Sequence, residues 1–129
     1  MVSERTQSAA TAKLIRTWET LRKQYPGVQT RYPRIVYDGR LKVTAGLAHL
    51  DKNQIRLSKY LMVEYPEKMI DVIIPHELAH LVAWEVYGDD SHNAGWQSVM
   101  QFLDLPVKEF HDMVSWRHDV EVFQRRMGK

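Results

Sequence analysis

The sequence predicts one α+β domain, on three observations. Apolar residues recur at helical spacing near the start and in the second half of the chain. A stretch between them alternates with the two-residue period of strands, and turn-forming residues punctuate the boundaries. The 129 residues suffice for one domain with its own core. A composition of 44% hydrophobic and 26% charged residues belongs to a folding chain rather than a disordered one.

The first element is a helix from about Ser8 to Tyr25, with Leu14, Trp18, Leu21 and Tyr25 on one stripe and Pro26-Gly27 as its stop. Strand character follows in Gln29–Tyr37, where Pro33 favours an edge position. Asp38-Gly39 is a hairpin signal. Leu41, Val43 and Ala45 alternate with Lys42 and Thr44 as a second strand. Asp51-Lys52-Asn53 is another turn, and Ile55 and Leu57 flank Arg56 in a third strand, so a three-stranded antiparallel meander is expected. Ser58 then caps a short helix interrupted by Pro66. A longer helix runs from near Glu67 to Tyr87, with a kink or a fresh start at Pro75 and Gly88 as its C-terminal stop. Asp89-Asp90-Ser91 forms a turn. Trp96, Val99, Met100 and Leu103 mark an amphipathic helix, and shorter helical pieces close the chain.

Composition excludes several classes of function. Without cysteine there are no disulfides, thiolate metal sites, iron–sulfur clusters or cysteine nucleophiles. No apolar run approaches the roughly 20 residues of a membrane span, and Met1 to Ala12 is too polar for a secretory signal. A cytoplasmic monomer without membrane contact is the expectation. Net charge is +2 overall but unevenly spread: +8 over residues 1–61, −9 over residues 62–121 and +3 over the last eight. Such asymmetry fits either a polyanion-facing side or solvated faces that neutralise each other on folding.

One motif carries chemistry: His76-Glu77-Leu78-Ala79-His80, inside the apolar stretch Ile70–Val86. Residues four apart on a helix differ by about 40° in azimuth, so both imidazoles leave one face and can bind one ion. Glu77 is rotated by about 100° from His76, where its carboxylate can receive a proton without being a ligand. A random shuffle of this composition yields the motif only about 2% of the time. A catalytic zinc site takes three protein ligands and keeps one open position. His92, just past the Gly88-Asp89-Asp90 turn, is the best third ligand, and Glu109 is a weaker contender. His111 is a residue to look for near the site, His49 and His118 read as surface or satisfied histidines, and Asp89 and Asp90 as turn and capping residues. Imidazole donors without thiolates suit Zn2+, which acidifies water and polarises a carbonyl; Glu77 would then act as general base in amide hydrolysis.

At these residues the chain resembles the SprT-like zinc metallopeptidases, which include the Spartan DNA–protein crosslink proteases. The resemblance rests on Ala45-Gly46-Leu47-Ala48, on Ile55-Arg56-Leu57-Ser58, on Ile73-Ile74-Pro75 leading into the histidine motif, and on Tyr87-Gly88 and His92-x-x-x-Trp96. It implies a minimal zincin-like domain over residues 1–129, with a core of about 10–112 and an extension at 113–129. It also implies His76, His80 and His92 as zinc ligands, Glu77 as the catalytic residue, Trp96 as a supporting aromatic, and a protein or peptide substrate. Members commonly act at DNA. Arg31, Arg34, Arg40 and Lys42, interleaved with Tyr32 and Tyr37, can touch phosphates and stacked bases, or serve only as a charged guard on an edge strand. Asn93 stands where the family often has glycine. With no cysteine, the four-cysteine ribbon of many members is absent or replaced by Val107–Lys129. Two rivals remain: a non-catalytic zinc-containing nucleic-acid-binding module, and an amidase acting on a small substrate.

Overall fold

The computed structural model describes residues 1–42 and 44–106. Helix α1 spans Glu4–Gln24. Its start is fixed by Ser3, whose hydroxyl accepts the Thr6 amide at 3.1 Å and so satisfies one of the N–H groups that a helix start leaves orphaned. That start precedes the expected one because the first turns carry little apolar periodicity. Ala10, Leu14, Trp18 and Leu21 form the buried stripe. The Tyr25 amide closes the last turn on the Leu21 carbonyl at 2.8 Å, just before Pro26.

The sheet has three strands, β1 Arg34–Asp38, β2 Gly46–His49 and β3 Gln54–Ser58, in the order β1-β3-β2. β2 and β3 pair antiparallel across the turn at Leu50–Asn53, as expected. The other junction departs from the expected antiparallel meander: β1 runs parallel to β3 and never pairs with β2. The reason lies at Asp38. A tight hairpin needs positive φ at its central residues, and neither Asp38 nor Gly39 adopts it. Instead the Asp38 carboxylate accepts the Arg40 amide at 2.8 Å and the Arg56 guanidinium at 2.9 Å, an Asx-type turn that leads the chain away from the edge of β1. Leu41, Lys42, Thr44 and Ala45 consequently lie outside any strand, and the second strand begins only at Gly46. Within the expected first strand, residues 29–33 are also loop, and pairing starts after Pro33.

The helical half follows the punctuation of the sequence. Ser58 caps α2, Lys59–Glu64, by accepting the Leu61 amide at 3.2 Å. Pro66 opens the single turn α3, Pro66–Lys68. A wide π turn over Met69–Ile73 leads into α4, Ile74–Tyr87. The missing N–H of Pro75 is harmless in the first turn of a helix, and the widened turn before it takes up the change in register. Gly88, at φ 67° and ψ 18°, ends α4 in the left-handed conformation that glycine adopts without strain. Helix α5 is Ala94–Phe102, with Trp96, Val99 and Met100 buried.

Helix α4 packs against α1, α5 and β2. Ile74–Ala79 and Leu81–Ala83 are buried, so this helix is apolar nearly all round. No helix among the described residues is long and apolar enough to cross a membrane. Glu109, His111, His118 and the expected extension at 113–129 lie outside the described residues.

Candidate metal centre

The two histidines of α4 meet a third from beyond its end. The ring centroids of His76 and His80 are 5.1 Å apart. His92, in the loop between α4 and α5, brings its ring to 5.8 Å from that of His76 and 4.7 Å from that of His80. One nitrogen from each ring lies within 4.8 Å of the others, so the three could hold one metal ion. The first pair follows from one helical turn. The third is delivered by tertiary structure, because Gly88 reverses the chain and returns the loop over the helix face.

Trp96, fully buried, packs against all three rings. Its ring stacks on His80 at 15° with centroids 5.3 Å apart, and lies 5.0 Å from His76 and 4.7 Å from His92. It limits the room in which each imidazole can turn. Gly95, just before it, lets α5 come close to α4: a Cβ there would sit 2.8 Å from Tyr87 Cβ.

The donor set suits a cation. Burial, reinforced by the neighbouring His80 and His92, pushes the His76 imidazole down to about 3. Burial and His92 push His80 down to about 4, with Asp89 and the backbone of Ser91 working the other way. Both rings are therefore neutral near pH 7, with lone pairs available to a metal. Glu77 is 3% exposed, and burial pushes its carboxyl up to about 8. It sits against β2, where a Cβ on Gly46 would come within 3.2 Å of Glu77 Cγ.

The site opens into a cleft of about 200 Å³. His76, Glu77, His80 and His92 form its floor. Gly46, Leu47, Ala48 and Leu50 line one wall, Asp90 and Ser91 the other. Since β2 lies at the edge of the sheet, an edge strand borders the three histidines. Asp89 is a capping residue, as expected: its carboxylate accepts the Trp96 amide at 2.9 Å and the Ser91 amide at 3.0 Å. Burial alone would raise this carboxyl, but these bonds and one from Asn93 outweigh it and lower it.

Residue by residue, the structure brings together His76, Glu77, His80, His92 and Trp96. It leaves His49 outside the cleft, 3.8 Å from Asp51. Arg31, Arg34, Arg40 and Lys42 are exposed but away from the cleft, and Arg40 leans on Asp38 at 3.3 Å. Tyr37 packs against the core, and the Tyr32 hydroxyl donates to Glu19 at 2.6 Å. Sequence reasoning missed Gly46 as a contact point. The available signal was a glycine beside strand residues, which often marks close approach of another element.

The family model for the SprT-like family matches residues 13–116. Among curated relatives, Protein SprT of Klebsiella pneumoniae is 38% identical over 72% of this chain and 58% of the relative. Protein SprT of Actinobacillus succinogenes is 36% identical over 61% and 47%, and that of Escherichia fergusonii 34% identical over 78% and 62%. The chain spans about half the length of the curated relatives it matches. No solved structure matches it.

Proposed function

We propose, from the premise that this chain belongs to the SprT-like family, that it is an intracellular zinc-dependent peptidase with a zincin-like active site. His76, His80 and His92 would hold Zn2+, and Glu77 would be the catalytic base. The observation that carries the proposal is the convergence of three imidazoles beside a buried carboxylate in a cleft bordered by an edge strand.

When bound, zinc supplies Lewis acidity, acidifying water and polarising the scissile carbonyl. The protein's own groups account for the rest. Burial leaves the Glu77 carboxyl with a high proton affinity, and a cation beside it favours the carboxylate. Glu77 can thus take a proton from the attacking water and return it to the leaving amine. A purely structural metal site has no use for a carboxylate there. The outer edge of β2 offers backbone groups along which an extended peptide can pair, seating its carbonyl over the histidines. Leu47 and Leu50 favour apolar side chains on that wall, while Trp96 excludes water behind the imidazoles.

We assign proteins bound to DNA as the substrate class. Support comes from the exposed Arg31, Arg34 and Lys42, cations suited to phosphate contacts. The test is digestion of a DNA-bound protein by the purified chain, with and without DNA, chelator and added zinc. Glu77→Gln should retain zinc while hydrolysis falls by about 10²–10⁴-fold, the usual worth of a general base. An active Glu77→Gln protein, or activity indifferent to chelation, would overturn the mechanism. Cleavage indifferent to DNA and to salt would remove DNA from the substrate class.

A further inference from the structure

His76 and His80 are held by a buried helix, whereas His92 sits in the irregular stretch between Gly88 and Ala94. That stretch is nevertheless tied down. Asp89 is 7% exposed, and its two carboxylate oxygens divide their work. Oδ1 accepts the Ser91 amide at 3.0 Å and the Asn93 side-chain amide at 3.1 Å, on either side of His92. Oδ2 accepts the Trp96 amide at 2.9 Å and so fastens the loop to the first turn of α5. From α5 itself, the Gln97 side-chain amide donates to the carbonyl of His92 at 3.0 Å.

We infer that Asp89 and Gln97 are positioning residues that hold His92 in register with the pair on α4, and that they set the affinity of the three-imidazole centre for its ion. The inference rests on the metal-centre reading above. The four bonds go to the backbone and to the Asn93 side chain, so the pair acts through His92 and not as ligands. Their effect is to order the loop on folding, which removes an entropic cost that metal binding would otherwise carry. Groups behind a metal's ligands typically contribute 10–100-fold to affinity.

The test is zinc affinity of the purified full chain, read by competition with a chromophoric chelator. Asp89→Asn keeps the volume but has one acceptor oxygen, so either Trp96 or the Ser91–Asn93 side of the loop loses its partner. Affinity should fall by about 10–100-fold, and Gln97→Leu should give a smaller loss in the same direction. The deciding comparison repeats each substitution in a His92→Ala background. There, a residue that acts through His92 has nothing left to position, and the further loss should be under about twofold. Equal losses in both backgrounds would mean general destabilisation and overturn the inference, as would unchanged affinity in Asp89→Asn. If Asp89→Asn fails to fold by circular dichroism, the Gln97→Leu cycle decides alone. A parent chain that binds no zinc would sink the metal-centre reading itself, a result distinct from either of these.

Discussion

Replacing Gly46 by alanine tests how closely the histidine-bearing helix and the edge strand are fitted. The added Cβ would lie 3.0 Å from Ile73 Cγ2, 3.2 Å from the Arg56 carbonyl oxygen and 3.2 Å from Glu77 Cγ. Carbon atoms in contact prefer about 3.5–4.0 Å, so the closest approach falls short by about half an ångström or more. The Arg56 oxygen cannot give way, because it belongs to the central strand, held on both sides. Relief must come from retreat of the π turn and the start of α4. Overpacking of this kind costs about 1–3 kcal/mol, and at about 4 °C per kcal/mol for a domain this size the melting midpoint should drop by roughly 4–12 °C. Thermal unfolding followed by circular dichroism measures it. Because Glu77 is one of the groups displaced, the hydrolysis proposed above should fall further than stability explains at a temperature where the variant is fully folded. A midpoint within a degree of the parent's, with undiminished activity, would refute the close fit of helix and strand.

Three other outcomes are expected. The Arg40 amide and the Arg56 and Arg40 guanidiniums hold the Asp38 carboxyl down at about 2, against 3.8 ordinarily. Its stabilising effect is therefore complete above pH 3.8 and lost as pH falls through about 2. Asp38→Asn should melt below the parent at pH 6, and the gap should narrow as pH falls through that window; a gap independent of pH would contradict this. Gly88→Ala forces a left-handed conformation on a side chain at φ 67°, costing about 1–2 kcal/mol in denaturant titrations. Leu78→Ala, fully buried on α4, should cost about 2–5 kcal/mol, with the loss growing if the cavity stays open.

What could be read from the sequence divides along the range of the interactions. Helices α1, α2, α4 and α5 were legible because periodicity and caps are local: Ser58, Pro75 and Gly88 each act within one turn of where they stand. The strands were less so. Asp38-Gly39 is a sound hairpin signal when the strands on either side pair with each other, but Asp38 has a stronger competitor in Arg56, eighteen residues on. A charged partner that distant leaves no trace in local pattern. Its capture of the carboxylate redirected the chain, made β1 parallel to β3 and moved the second strand past Ala45. Alternation of Leu41 and Ala45 around Lys42 and Thr44 had the right period, but of these four only Ala45 meets β3, accepting the Ser58 amide at 2.8 Å just before β2 begins.

The site divides in the same way. His76 and His80 are one helical turn apart, so their joint direction follows from helix geometry alone. His92 could be proposed because Gly88 ends the helix in a way that reverses the chain, but reversal fixes only a neighbourhood. What brings its ring to 4.7 Å from His80 is a set of bonds from Asp89 and Gln97, residues whose types are ordinary at a turn and on a helix. Their importance lies in joining the end of one helix to the start of the next, a relation absent from either segment by itself. Gly46 completes the case from the opposite wall, since its missing side chain matters only once α4 lies across β2. The motif thus places two imidazoles and a buried carboxylate, while the third imidazole and the fit of the opposite wall depend on residues that the motif does not contain.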